Sequence, residues 1–198
     1  MTKVGTNWKS FTAGHRIPWH EKCGRMHGHT FQVRVIVDGQ VDSSTGIVVD
    51  FGDLAKALNE IIDPLDHRFL AAKDAVQIHF SEEFVKQAGT FAGAIYPGGY
   101  YVIDKKYILP ESDVVVLPLD IISSENLAKY ILNRMTIYPW AAGKTITVQV
   151  KESGDNIAED SMMVYDGRGA WLYQTSNWGT STSGNITYIT FPPYPTIV

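Results

Sequence analysis

The chain of 198 residues is poor in several things, and each shortage closes off a class of protein. A single cysteine, Cys23, allows neither an internal disulfide nor a multi-cysteine zinc knuckle. No run of about 18 apolar residues occurs, which excludes a membrane-spanning helix. The greasiest stretch, Asp113 to Ile122, is interrupted by Pro118 and Asp120. Positive charge is not in excess: 17 Lys and Arg against 21 Asp and Glu leave a net charge of −4, which argues against gripping nucleic acid through bulk charge. The first residues, Met1 to Trp19, lack the apolar core of a secretory signal, so a cytoplasmic protein is expected. There is no internal repeat. Disorder is excluded for the whole, because 44% hydrophobic and 12% aromatic residues suffice for a packed core. The length suits one domain, or one domain with elaborations.

Histidine, by contrast, is concentrated. Four of the six histidines, His15, His20, His27 and His29, fall within fifteen positions, with Cys23 among them. That cluster is set in a periodic framework. Residues Thr30 to Asp38 alternate, with Phe31, Val33, Val35 and Val37 on one face, which predicts a half-buried strand. A second short strand is expected at Gly46 to Val49, leading into Asp50 as cap of a helix that carries Phe51, Leu54, Leu58, Ile61 and Ile62. Pro64 ends that helix near Asp63. Another helix starts at Ser123-Ser124 with a Leu127, Ile131, Met135 stripe, and a strand follows at Thr145 to Lys151. The skeleton reads ββα then αβ, or ββαβαβ with one strand hidden between, an α+β architecture of antiparallel sheet with helices on one face.

Two segments stand outside that skeleton. Within residues 71 to 115, Ser81 is placed to cap a short helix from Glu82 to Ala88, with Phe80 stapling onto Val85. A hairpin is expected next, pairing Ala94-Ile95-Tyr96 with Tyr100 to Ile103 across Pro97-Gly98-Gly99. The aromatic residues here (Phe80, Phe84, Phe91, Tyr96, Tyr100, Tyr101, Tyr107) favour core filling over ligand stacking. Residues 154 to 198 are acidic, rich in Ser, Thr and Gly, and close on an alternating run from Ile186 to Phe191; the Asn185-Ile186-Thr187 sequon is read as chance.

The chemistry-bearing residues start at His27-Gly28-His29. Two residues apart on an extended chain, the imidazoles share a face and can chelate one metal. With His15 as third ligand, the set leaves a coordination position open, the catalytic kind of zinc site. Cys23 lies four residues before His27, beside Lys22 and Arg25, and three readings stay open for it: thiolate base, fourth metal ligand, or buried structural cysteine. Asp66-His67 supplies a carboxylate that can orient an imidazole for proton transfer, and Glu152 ends the last clear strand.

In order along the chain come Phe11-Thr12-Ala13-Gly14-His15, Cys23 to Phe31 with its Cys-x-x-x-His-Gly-His core, Gly46 to Phe51, Leu65-Asp66-His67, Ser124 to Ala128, and Lys151-Glu152. This series resembles the 6-pyruvoyl-tetrahydropterin synthase superfamily, and the Cys-to-His spacing is similar to that of its queuosine-pathway branch, the 6-carboxy-5,6,7,8-tetrahydropterin synthases. The resemblance covers about residues 8 to 70 and 113 to 153, and six ordered motifs are more specific than any one. It implies a tunnelling fold (T-fold), a four-stranded antiparallel sheet with two helices on one face, assembling as trimers or hexamers around a β-barrel. It implies zinc on His15, His27 and His29, Cys23 as base, Asp66 and His67 as the second proton-transfer pair, and Glu152 and Ser124 as substrate contacts. The implied reaction converts 7,8-dihydroneopterin triphosphate to 6-carboxy-5,6,7,8-tetrahydropterin, with 6-pyruvoyl product or non-catalytic pterin binding as alternatives. The domain is expected at 1–153 with an insertion near 71–115, and 154–198 as an extension of it. Ser153 stands where the family usually has Thr.

Overall fold

A computed structural model describes residues 1–88, 98–153, 162–165 and 171–175. They fall into two compact units. The first comprises Met1–Phe11, His29–Asp63 and the described residues from Ser123 onward; the second comprises Thr12–Gly28 and Pro64–Ile122. No helix among the described residues is long and apolar enough to cross a membrane.

The first unit is built on β3 (His27–Gly39), flanked in the chain by β1 (Thr2–Gly5) and β2 (Lys9–His15). The alternating run does what its period demands: Phe31, Val33, Val35 and Val37 are fully buried on one face. Antiparallel to β3 runs β9 (Thr145–Ser153), in a register that sets Val33 opposite Val150, Val35 opposite Val148 and Val37 opposite Ile146. β1 pairs with the far end of β3, Val4 opposite Val37. Beyond β9 come β10 (Met162–Tyr165) and β11 (Trp171–Thr175), both antiparallel.

Two helices cover the apolar face. Helix α1 (Phe51–Ile62) begins where the Asp50 carboxylate accepts from the Gly52 and Asp53 backbone N–H groups at 2.7 and 3.2 Å. It buries Leu54, Leu58, Ile61 and Ile62, whereas Phe51, expected on that stripe, is 62% exposed. The next helix of this unit (Ser124–Met135) is capped by Ser123, whose hydroxyl accepts from Asn126 N–H at 3.3 Å, and buries Leu127, Ile131 and Met135 completely. Each such side chain contributes about 1.5–3 kcal/mol by leaving water. The expected strand at Gly46 to Val49 is not formed. There the Asp42 carboxylate takes hydrogen bonds from Ser44 and Thr45, and Asp42 N–H donates to the Ile47 carbonyl at 2.9 Å. This closed turn satisfies the backbone locally and delivers Val48 and Val49 to the core without a ladder partner.

The second unit corrects the all-antiparallel expectation. The end of β2 pairs in parallel with β4 (Arg68–Ala71), Ala13 opposite Arg68, and β4 pairs in parallel with β8 (Val114–Val116). Strands of the same direction need long crossovers, and the chain supplies them: β3 and α1 precede β4, and the excursion 72–113 precedes β8. The hydrogen-bonded ladder therefore reads β11-β10-β9-β3-β2-β4-β8 with β1 on β3, a mixed sheet of eight strands in place of the expected four. The excursion forms its own three-stranded antiparallel sheet from β5 (Val76–Phe80), β6 (Tyr100–Ile103) and β7 (Tyr107–Pro110). β6 lies between β5 and β7; residues 94–97 of the expected hairpin, like Phe91, the sequon and the 186–191 run, lie outside the described residues. Helix α2 (Glu82–Ala88) is capped by the Ser81 hydroxyl as expected, and Phe80 stacks on Phe84, at 5.3 Å between centroids. Of the described aromatics expected to fill the core, Tyr100 is buried and Tyr101 and Tyr107 pack on a cluster of Phe69, Ala71, Ala75 and Ile103, whereas Phe84 is exposed. The helix from Ser124 to Met135 is called α3 below.

Candidate functional site

Strand periodicity sets the first part of the site. His15 closes β2, while His27 and His29 open β3 two residues apart. One ring nitrogen from each of the three lies within 4.8 Å of the other two. His15 is 2% exposed, and its ring centroid is 4.5 Å from that of His27. Gly28 lets the two strands approach, since a Cβ there would meet the Ala13 carbonyl oxygen at 3.4 Å.

The ring nitrogens turned away from the cluster decide which atoms it presents. Nδ1 of His15 is 2.7 Å from the Ile122 carbonyl oxygen, and Nδ1 of His27 is 2.8 Å from that of Arg25. A carbonyl only accepts, so Nδ1 carries the proton in both rings and Nε2 keeps its lone pair. An imidazole held this way by a backbone carbonyl is the arrangement of a metal ligand with its tautomer fixed. His29 is oriented from its other edge, with Nε2 3.8 Å from the Glu152 carboxylate. Three imidazole nitrogens converging on one point suit a borderline cation such as zinc.

Cys23 sits elsewhere in that neighbourhood. Residues 17 to 25 coil into a compact turn in which Ile17 N–H donates to the Cys23 carbonyl at 2.7 Å, and Cys23 N–H donates to His20 Nδ1 at 3.0 Å. Gly24 is required here, because a Cβ would fall 2.4 Å from the His20 oxygen. Cys23 is a partly exposed free cysteine and is not in the group of clustered ligand atoms, which is three histidines. Lys22 and Arg25 are exposed, so water screens their influence on the thiol. His20 is engaged by the turn and does not join the cluster.

Asp66 and His67 meet as the dipeptide suggests. Asp66 Oδ2 lies 2.8 Å from His67 Nδ1, and Oδ1 accepts from Thr12 N–H at 2.7 Å. His67 N–H donates back to the Thr12 carbonyl at 2.6 Å, tying the pair to the strand that ends in His15. His67 pays for this with a left-handed backbone, φ 56°. The Thr12 N–H above all, with His67 assisting, holds the Asp66 carboxyl below its ordinary range, against the opposing effect of desolvation. The imidazole itself is 81% exposed, a ring oriented at one nitrogen and open at the other.

Glu152 and Ser124 complete the expected set. Glu152 lies opposite Phe31 in the β3–β9 register, partly buried beside His29. Ser124, the first residue of α3, is 2% exposed, and its Oγ makes no hydrogen bond among the described residues. What the sequence did not disclose are the backbone partners: the carbonyls of Arg25 and Ile122 and both polar atoms of Thr12. Main-chain atoms carry no residue signature.

The family model described as 6-pyruvoyl tetrahydropterin synthase matches residues 5–161. The chain belongs to this family. An Archaeoglobus fulgidus protein assigned as a 6-carboxy-5,6,7,8-tetrahydropterin synthase is 44% identical over 73 residues, 37% of this chain and 61% of that protein. A Pyrococcus abyssi protein with the same assignment is 30% identical over 156 residues, 76% of this chain and 85% of that one. In three dimensions the chain is similar to Plasmodium falciparum 6-pyruvoyl tetrahydropterin synthase, with a TM-score of 0.58, 22% identity, and coverage of 78% of this chain and 93% of that one. That likeness shows a shared fold, α+β with a curled mixed sheet.

Proposed function

We propose that this pterin-synthase family member is a zinc-dependent lyase that converts 7,8-dihydroneopterin triphosphate and water to 6-carboxy-5,6,7,8-tetrahydropterin, acetaldehyde and triphosphate, a step toward 7-deazaguanines such as queuosine. The observation that carries it is the gathering of His15, His27 and His29 with two of their tautomers fixed by backbone carbonyls. The three-residue gap between Cys23 and His27 and the assigned names of relatives favour the carboxypterin product.

Zinc held by those three imidazoles supplies Lewis-acid polarisation of the substrate's side-chain oxygens. The chain's own groups move the protons. His67 keeps Nδ1–H on the Asp66 carboxylate, so its Nε2 is the basic atom, and the Asp66 charge stabilises the imidazolium formed when Nε2 takes a proton. Cys23, as thiolate, accepts a proton from the other face of the substrate. The Glu152 carboxylate matches the two donors of an amino-pyrimidinone edge, a planar bidentate pairing, and Ser124 lies at the start of α3 as a further substrate contact. The active form is a trimer or hexamer closed around a β-barrel.

Incubation of the purified, zinc-loaded protein with dihydroneopterin triphosphate tests the reading. Carboxypterin with stoichiometric acetaldehyde is the expected result. A 6-pyruvoyl product without acetaldehyde reassigns the branch. Cys23→Ala should retain zinc and lose turnover; loss of zinc with the sulfur makes Cys23 a ligand, and indifference makes the protein a binding module.

A further inference from the structure

The two ligands at the mouth of the 16–26 loop are each followed or preceded by a residue that the excursion holds. Arg16 follows His15 directly, and Met26 directly precedes His27. Arg16 Nη1 donates to Asp104 Oδ2 at 2.9 Å, with the two side chains only 11% and 21% exposed. Its guanidinium carbon lies 5.6 Å from the centre of the Tyr107 ring. The Met26 backbone N–H faces the Tyr107 hydroxyl. One turn of the β6–β7 hairpin thus grips the chain immediately outside His15, and the Tyr107 that follows it abuts the chain immediately outside His27.

That turn has an uncommon backbone. Lys106 N–H donates to the Ile103 carbonyl at 3.0 Å, and both central residues, Asp104 and Lys105, have positive φ, 50° and 53°. This is the type I′ arrangement, normally made with Asn and Gly. An unfavourable backbone persists where its surroundings over-determine it, and such places cluster at functional sites. Here the Asp104 N–H is held by the Ala75 carbonyl at 2.8 Å while its carboxylate is held by Arg16.

We infer that Asp104 and Tyr107 are positioning residues that hold the His15 and His27 ends of the 16–26 loop at the separation a metal ion requires. The inference rests on the zinc reading given above. The Ile122 and Arg25 carbonyls set each tautomer; the brace sets where the two rings stand. An exposed ion pair would do little of this, but an ion pair this far withdrawn from water, with a ring on the guanidinium, is orientationally restrictive.

The experiment compares the full chain with Asp104→Ala, Asp104→Asn and Tyr107→Phe. The readouts are zinc affinity by chelator competition, the absorption spectrum of the cobalt-loaded protein, the imidazole nitrogen resonances of the zinc-free protein, and the melting temperature. Asp104→Ala should weaken zinc binding by about 10-fold, the lower end for partners outside the ligand shell, and change the cobalt spectrum. Asp104→Asn keeps an oxygen for Arg16 and tolerates positive φ, so it should recover most of that loss, and Tyr107→Phe should weaken binding by about 3-fold. Zinc affinity within twofold of the parent and unshifted resonances in both Asp104→Ala and Tyr107→Phe overturn the brace. A parent chain that takes up no zinc overturns the metal reading instead. The resonances of His15 and His27 then decide alone: a shift in Asp104→Ala upholds the positioning role, and none overturns it.

Discussion

The sheet of β3 and β9 with its two helices and the segments 12–28 and 64–122 are made by different rules. In the first, a nine-pair antiparallel register, two side-chain helix caps and uninterrupted apolar stripes repeat one simple pattern. In the second, β4 and β8 are four and three residues long, and every described non-glycine residue with positive φ is found there: His67, Asp104 and Lys105. His15, Cys23, His27, Asp66 and His67 all belong to it as well. Periodicity buys stability in one region; in the other, strained and locally bonded backbone aims the reactive groups.

Substitutions that keep these two debts separate test the contrast. The double variant His15→Ala, His27→Ala should lose its zinc by elemental analysis and at least about 10³-fold in turnover, because Lewis-acid stabilisation is worth several kcal/mol. Ile131→Ala, at a fully buried position of α3, should cost about 2–5 kcal/mol in urea unfolding while zinc stoichiometry per folded chain is unchanged; zinc loss in step with stability would merge the regions. His67→Ala should lower kcat by about 10²-fold or more with the melting temperature nearly kept, the signature of a proton-transfer group. Ser123→Ala removes the α3 cap and should cost about 1 kcal/mol, read as a shifted urea midpoint.

The smallest expected effect is on pH dependence. The Ser44 hydroxyl and the Thr45 and Ser44 backbone N–H groups lower the Asp42 carboxyl from 3.8 to about 2. A depressed pKa stabilises the fold fully above the unfolded value, and that contribution drains away as pH falls from 3.8 through about 2. Asp66, held down chiefly by Thr12 N–H, acts in the same direction. Asp42→Ala and Asp66→Asn should each flatten the acid limb of a stability profile; only Asp66→Asn should also change the pH profile of kcat.

Legibility followed the same division. The β3 alternation, both caps and the Pro64 stop are short-range signals, and they are present as read. The histidine cluster was legible because His27 and His29 are two residues apart and a strand puts them on one face. The strand expected at Gly46–Val49 is not formed: Asp42, several residues away, takes the Gly46 N–H on its carbonyl and gives its own N–H to the Ile47 carbonyl. The parallel pairing of β4 depends on partners distant in sequence, which no local pattern encodes. Geometry alone would not single out Asp66 and His67 as the proposed acid–base pair either. His79 and Glu111 approach to 2.9 Å, as closely as His67 and Asp66, yet that pair joins β5 to the residue after β7, beside the Gly98 carbonyl. The motif order distinguishes the two.

The hydrogen bond from His15 to Ile122 joins residues 107 positions apart. Closing a loop of that length carries a large entropic cost, and the chain between contains the parallel β4–β8 pairing. Until that closure His15 lacks the carbonyl that places its proton, whereas His27 finds its own two residues away at Arg25. On the zinc reading proposed above, tight metal binding would therefore report that this long-range bond is in place.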